Sequence, residues 1–214
     1  MALPEIVSRE QWRAAREELL RKEEAVRRAR EELGARRRQL PMVEVDTEYV
    51  FEGGDGKATL LDLFEERAQL VVHHFMFAPE WETGCPCCAA FLDQLGHLAH
   101  LSARNTSFAS VSRAPFTRIL PFKARMGWAV PWYSSSHGDF NRDFEATVES
   151  DKGLVERPGI SCFLRDHDRV FHTYSAYDDG LDGACTLAGL LDLTALGRQP
   201  DDSEGLRLHD EYDN

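Results

Sequence analysis

The chain has 214 residues, 43% hydrophobic and 29% charged, which suits one full domain plus an extension with a sizeable core. Its formal net charge of −12 repels nucleic-acid phosphates and anionic lipid, so neither nucleic acid nor a membrane is an expected partner. No apolar run reaches a membrane-spanning length and Met1 to Glu10 lacks a signal-type apolar stretch, so a cytoplasmic location is expected.

Ser8-Arg9-Glu10-Gln11 is a capping-box pattern and predicts a long helix after it. Trp12, Leu19, Val26 and Leu33 recur every seven residues, with Ala15 and Ala29 beside the stripe. Glu17/Arg21, Glu18/Lys22, Glu23/Arg27 and Glu24/Arg28 are favourable pairs four residues apart. Residues 9–38 carry eleven Lys or Arg against seven Glu, but the signs alternate at helical spacing, as on a solvated or subunit-facing helix. The stripe is narrow, like a two-helix seam. It reads either as an arm along its own domain or as an arm around a second copy, and a homodimer through this helix is the partner expectation. Gly34 and Pro41 are expected to end it.

A strand is expected over Val43 to Phe51, turned by Gly53-Gly54-Asp55-Gly56. Thr59-Leu60-Leu61-Asp62 caps a short helix to about Arg67, and Gln69 to Phe77 reads as a buried strand. A helix follows from about Cys85 to Ala103, a strand over Thr106 to Ser112, and a helix from Pro115 to about Met126. Residues 127–144 are aromatic and punctuated by Gly and Ser. Ile160 to Arg165 and Val170 to Tyr177 read as a hairpin, and Cys185 to Leu193 as a last helix. Helices alternate with strands before an antiparallel pair, which predicts a mixed three-layer α/β domain. The expected division is a helical arm over 1–41, the α/β domain over 42–199, and a mobile acidic tail over 200–214.

Of the five cysteines, three lie in Cys85-Pro86-Cys87-Cys88, directly after a buried strand and before a helix. An odd, clustered set suits redox chemistry or a metal better than a secreted disulfide framework. Open α/β sheets collect reactive groups at such junctions. Cys85 falls near the helix N-cap, where unpaired N–H groups and the dipole favour a thiolate and are expected to lower its pKa. Pro86 suits the first helical position, and Cys88 lies one turn behind Cys85, within disulfide reach. Cys87 is a spare thiol, a packing residue or a third soft ligand. Roles for Cys162 and Cys185 do not follow from their positions. With no phosphate loop or dinucleotide fingerprint, no cofactor is expected.

Several runs give a family resemblance: His74-Phe75-Met76-Phe77, Trp81 with Gly84-Cys85-Pro86 and Cys88, Ser112-Arg113-Ala114-Pro115, Met126-Gly127-Trp128 and Pro131-Trp132-Tyr133-Ser134-Ser135. Asp139-Phe140-Asn141, Phe163-Leu164-Arg165-Asp166, Val170 to Ser175 and Leu191-Asp192-Leu193-Thr194 extend it over about residues 8–199. In these runs the chain resembles the bacterial domain-of-unknown-function family 899, whose members are taken as predicted dithiol–disulfide oxidoreductases. The resemblance implies a thioredoxin-like three-layer α/β/α sandwich behind the long N-terminal helix. Two departures stand out: Pro158 comes about two residues before the position of the thioredoxin cis-proline, and Trp81 lies four residues before Cys85 rather than next to it.

The expected function is thiol–disulfide oxidoreduction of a thiol or disulfide substrate, with a protein among the candidates. Cys85 is the nucleophile and Cys88 the resolving thiol, supported by Cys87, Pro86, Trp81 and Arg113. Two alternatives stand beside it. Pro79 to Cys85 nearly matches the peroxiredoxin pattern of Pro, three residues, Thr, two residues and Cys, but only one residue separates Thr83 from Cys85. Arg113 or Arg118 would supply the cation of such a thiol peroxidase. A non-catalytic Cu or Zn protein would use Cys85, Cys87 and Cys88 with His73 or His74, although a lone strand histidine is more often a core residue. His172, Tyr174 and Tyr177 are expected on one strand face.

Overall fold

The computed structural model describes residues 4–151, 153–196, 198 and 206–212. The chain divides into two units after Pro41. The first is dominated by α1 (Arg9–Arg37), 29 residues long. Its capping box forms: Ser8 Oγ accepts from the Gln11 N–H at 3.2 Å, and Gln11 Oε1 accepts from the Ser8 N–H at 3.0 Å. Of the expected charge pairs, Glu18–Lys22 and Glu24–Arg28 form, at 3.5 and 2.9 Å. Glu23 instead meets Arg16 at 2.9 Å, and Arg27 reaches Glu24 and Glu31. The helix continues through Gly34, which was expected to stop it, to Arg37.

The second unit is built on an eight-stranded sheet ordered β1-β10-β9-β4-β5-β6-β2-β3. Its strands are β1 (Val43–Val45), β2 (Val50–Gly53), β3 (Gly56–Thr59), β4 (Gln69–His74), β5 (Thr106–Ser112), β6 (Trp132–Ser134), β9 (Gly159–Asp166) and β10 (Arg169–Tyr177). β4, β5 and β6 run parallel, and the flanking pairs are antiparallel. The strand expected over Val43 to Phe51 is two strands: β1 joins β10 at one edge and β2 joins β6 near the other. A separate hairpin, β7 (Thr147–Ser150) with β8 (Gly153–Glu156), has no counterpart in the sequence reading.

Alternation along the central strands feeds two cores. Leu70, Val72, Ala109 and Val111 join Phe51, Phe64, Phe140 and Phe163 on one face. Phe75, Phe77 and Phe108 meet Cys88, Ala89 and Leu92 of α2 (Pro86–Asp93) and Ile119 and Phe122 of α4 (Phe116–Arg125) on the other. The helix expected from Cys85 to Ala103 breaks around Gly96 into α2 and the single turn α3 (Ala99–Ser102). The aromatic segment holds β6 and a further turn, α5 (Phe140–Asp143), and the last helix, α6 (Thr186–Leu191), is shorter than expected. No helix among the described residues is long and apolar enough to cross a membrane.

Residues 200–205, 213 and 214 of the expected mobile tail lie outside the described residues. Residues 206–212 do not fit that expectation, because they are docked. Leu208 is buried in the same core as Cys88, and Arg125 pairs with Asp210 at 2.7 and 2.8 Å and with Glu211 at 3.0 Å. His209 Nδ1 lies 2.8 Å from Asp93 Oδ1, which also accepts the Trp128 indole N–H at 2.7 Å. One apolar side chain and matched charges tie this acidic stretch down. Leu208→Ala should therefore lower unfolding stability by about 2–4 kcal/mol in a denaturant titration; an unshifted midpoint would show that the segment adds nothing to the core.

Candidate active site

The three parallel strands end at one edge of the sheet, and the chain leaves each in a loop. Residues 75–85 follow β4, Arg113 to Pro115 follow β5, and Ser135 to Asp139 follow β6. Backbone bonds fasten these loops together. The Phe75 N–H donates to the Val111 carbonyl at 2.9 Å, Ala114 N–H to Phe77 O at 2.7 Å, and Ser135 N–H to Ser112 O at 2.9 Å. The Ser112 hydroxyl donates to Phe75 O at 2.7 Å and accepts the Trp132 indole N–H at 3.0 Å. Buried hydroxyls thus make this edge rigid where regular pairing stops.

The cysteines sit at the end of the first loop. Cys85 is the N-cap of α2, in extended conformation (φ −63°, ψ 129°), and Pro86 takes the first turn as expected. The Cys85 N–H donates to Met76 O at 3.0 Å, and the Met76 N–H donates to the Cys88 sulfur at 3.4 Å. Cys88 is buried, Cys85 half-buried and Cys87 exposed, all three as free thiols. Cys85 is coupled electrostatically to both Cys87 and Cys88. The structure therefore grades the three sulfurs of the motif by depth.

Their proton affinities correct the expectation of a lowered Cys85 pKa. The hydrogen bond from Cys87 is the largest single influence on Cys85 and favours its thiolate. Its hydrogen bond to Cys88, burial and the charge on Cys88 together outweigh that, and push the thiol up to about 11. Cys87 is raised further, first by its hydrogen bond to Cys85, then by burial and the Cys85 charge. Three adjacent thiols compete, so a charge on one opposes a charge on the next.

The other candidate residues fall around this cluster. Trp81 is half-buried against the same core, and its carbonyl accepts from Arg118 Nη1 at 2.7 Å. Arg113 turns to Glu156 of β8, whose carboxylate lies 2.9 Å from Nε and whose other oxygen accepts from Thr147 Oγ1 at 3.0 Å. The two strand histidines point to opposite faces. His73 packs on Phe91 and Phe75, and His74 bonds Ser161 Oγ at 2.8 Å. Burial holds each imidazole down to about pKa 3, and no three metal-ligating groups converge among the described residues, so the thiolate–imidazole metal site is not formed.

Cys162 lies on β9 and Cys185 at the start of α6, each half-buried. A register shift between His172 and Tyr174 overturns the face expected for β10: Ser175 and Tyr177, not Tyr174, join His172 around one cavity. Ser175 bonds both His172 Nε2, at 2.8 Å, and Ser161 Oγ, at 2.7 Å. Sequence reasoning missed Glu156 and the Ser135–Asp139 loop, which no periodicity marks. Every peptide bond among the described residues is trans, that of Pro158 included.

A family model described as a bacterial protein of unknown function (DUF899) matches residues 1–212. No curated protein matches the chain. Among solved structures, a peroxidoxin (BcpB) from Mycobacterium tuberculosis is similar at 16% identity and a TM-score of 0.50, over 68% of this chain and 94% of that one. A mutant of Xanthomonas campestris peroxiredoxin Q follows at 15% identity and 0.49, over 67% of this chain and 89% of that one. A hypothetical protein from Sinorhizobium meliloti is similar at 13% identity and 0.42, over 61% and 68%. The first likeness establishes the fold expected from the sequence, a thioredoxin-like α/β sandwich.

Gly84 fits this site by lacking a side chain. A Cβ there would lie 2.9 Å from Phe122 Cε1 and closer still to the Phe75 ring. Gly84→Ala should cost about 1–3 kcal/mol of stability and raise the alkylation rate of buried Cys88, read by mass spectrometry; wild-type stability and protection would show that the rings yield freely.

Proposed function

Since the chain belongs to the DUF899 family of bacterial proteins of unknown function, its chemistry has to come from its own residues, and we propose a thiol oxidoreductase in which Cys85 and Cys88 cycle between dithiol and disulfide. The supporting observation is the Cys85–Cys88 pair spanning the first turn of α2 at a strand-to-helix junction, one sulfur partly open and the other buried. Base removes the Cys85 proton, and the thiolate attacks one sulfur of a substrate disulfide. That S–S bond breaks, a mixed disulfide forms, and the departing sulfur takes up a proton. The Cys88 thiolate then attacks the Cys85 sulfur, closes the intramolecular disulfide and releases the second substrate thiol. Two electrons pass from protein to substrate, and the reverse sequence oxidises a dithiol. Cys87 favours the Cys85 thiolate through its hydrogen bond. Trp81 and the aromatic core would limit water at the sulfurs.

A second reading is peroxide reduction, favoured by the fold shared with the Mycobacterium peroxidoxin and by Thr83 ahead of Cys85. Cys85 would attack a peroxide oxygen, the O–O bond would break to leave a sulfenic acid and water or an alcohol, and Cys88 would condense with it, expelling water. An external thiol would restore the dithiol.

Cys85→Ser should abolish turnover with either oxidant, and Cys88→Ser should trap a mixed disulfide or a sulfenic acid on Cys85, identified by mass spectrometry. Undiminished turnover in Cys85→Ser would remove both readings, and the trapped species chooses between them. A second test follows from the proton balance. With the Cys85 thiol pushed up to about 11, it is protonated at neutral pH. Its alkylation should climb about tenfold per pH unit from about pH 7 to about pH 10; a plateau below about pH 8 would show that the helix end outweighs burial and the neighbouring thiols.

A further inference from the structure

Beside the cysteine loop lies an open cavity of about 440 Å³, lined by Pro79, Arg113, Ser135 to Asp139, Arg142 and Leu154. Its walls include parts of the loops after β4, β5 and β6, the edge where open parallel sheets take ligands. Pro79 belongs to the segment that ends at Cys85. Arg113 carries the argument. Only 14% of its side chain is exposed, yet among the described residues its single polar partner is Glu156, and the Nε N–H, although 2.9 Å from that carboxylate, makes no hydrogen bond. A guanidinium has five N–H donors in a fixed fork, and a nearly buried one is ordinarily satisfied. Glu156 holds the charge in place on the Nε side, and among the described residues no hydrogen bond uses the two Nη groups, which leaves that end of the fork for something that enters the cavity. Arg142, paired with Asp139 at 3.3 Å, and His137 stand at the exposed rim.

We infer that this cavity binds a carboxylate of the substrate, with Arg113 as the planar partner. The inference rests on the thiol oxidoreductase reading and gives it a substrate class: a thiol or disulfide bearing a carboxylate near the reacting sulfur. The fork matches a carboxylate with two parallel hydrogen bonds. Because Glu156 already offsets the Arg113 charge and Asp139 offsets Arg142, the cavity offers donors rather than a large excess of positive charge. That suits a planar monoanion better than a phosphate dianion.

Two disulfide reagents separate charge recognition from thiol chemistry: 5,5′-dithiobis(2-nitrobenzoate), which carries carboxylates, and neutral 2,2′-dithiodipyridine. Each consumes the protein dithiol, forms the protein disulfide and releases two reagent thiols. Arg113→Gln in a Glu156→Gln background, which leaves no unpaired carboxylate, should lower the ratio of the two rates about tenfold or more; Arg142→Gln alone should lower it less. Equal ratios in all three proteins would overturn the inference. Independently, benzoate added to reduced wild-type protein should shift the Arg113 Nε–Hε NMR cross-peak saturably, and an unmoved peak would also overturn it. If instead Cys85→Ser releases reagent thiols at the wild-type rate, the redox reading fails while the benzoate result still decides the cavity.

Discussion

The site depends on a short closed circuit. Cys85 gives its N–H to the Met76 carbonyl, and Met76 gives its own N–H to the Cys88 sulfur, so the loop between them is shut by two bonds to one residue. Gly84 makes the closure possible, since a larger residue would strike Phe75 and Phe122. Phe75 is in turn fixed by β5 through its N–H and by Ser112 through its carbonyl. The cysteines are therefore referenced to the central strands rather than to a free loop. A site that must hold sulfurs within bonding reach gains from such a rigid frame.

This circuit also explains why the helix-terminus argument did not settle the Cys85 pKa. A helix N-terminus lowers a thiol's pKa when the thiol is its main neighbour. Here two further sulfurs compete for the same protons, and packing against the aromatic core takes Cys85 partly out of water. The motif was legible as Cys-Pro-Cys-Cys, and so was the junction on which it sits. The depth of each sulfur was not, because depth also depends on Phe122 and the docked Leu208, which lie far from the motif in sequence.

The fold was legible where a strand or helix announces itself by its own pattern. Thr106 to Ser112 was expected as a strand and appears with those ends, as does the β9–β10 hairpin in outline. It was illegible where the partner decides. Val43 to Phe51 reads as one strand, but its two halves pair at different ends of the sheet, so no local pattern reveals the break. β6 is three residues long and hidden among aromatic residues; its place comes from pairing with β5 and from the Trp132 indole on Ser112. The His172 face turned on a register shift, which the sequence does not mark.

The missed β7–β8 hairpin shows how fold and site join. By sequence it is an unremarked polar stretch. In the structure it carries Glu156 inward to Arg113 and sets Leu154 against the cavity wall. Burying that carboxylate is unfavourable in itself, and burial raises its pKa even beside Arg113. An ion pair kept at such a cost holds a guanidinium in place without satisfying its donors, whereas an apolar pair of similar volume would serve the core as well. Exposure then orders the chemistry. Cys87 is exposed and Cys85 half-buried at this edge, whereas Cys88 is buried behind them. On the proposed chemistry, a buried sulfur at Cys88 and a half-satisfied arginine on an adjoining loop would give the site a direction: the substrate's charged end would be received on one side, and its sulfur passed inward on the other.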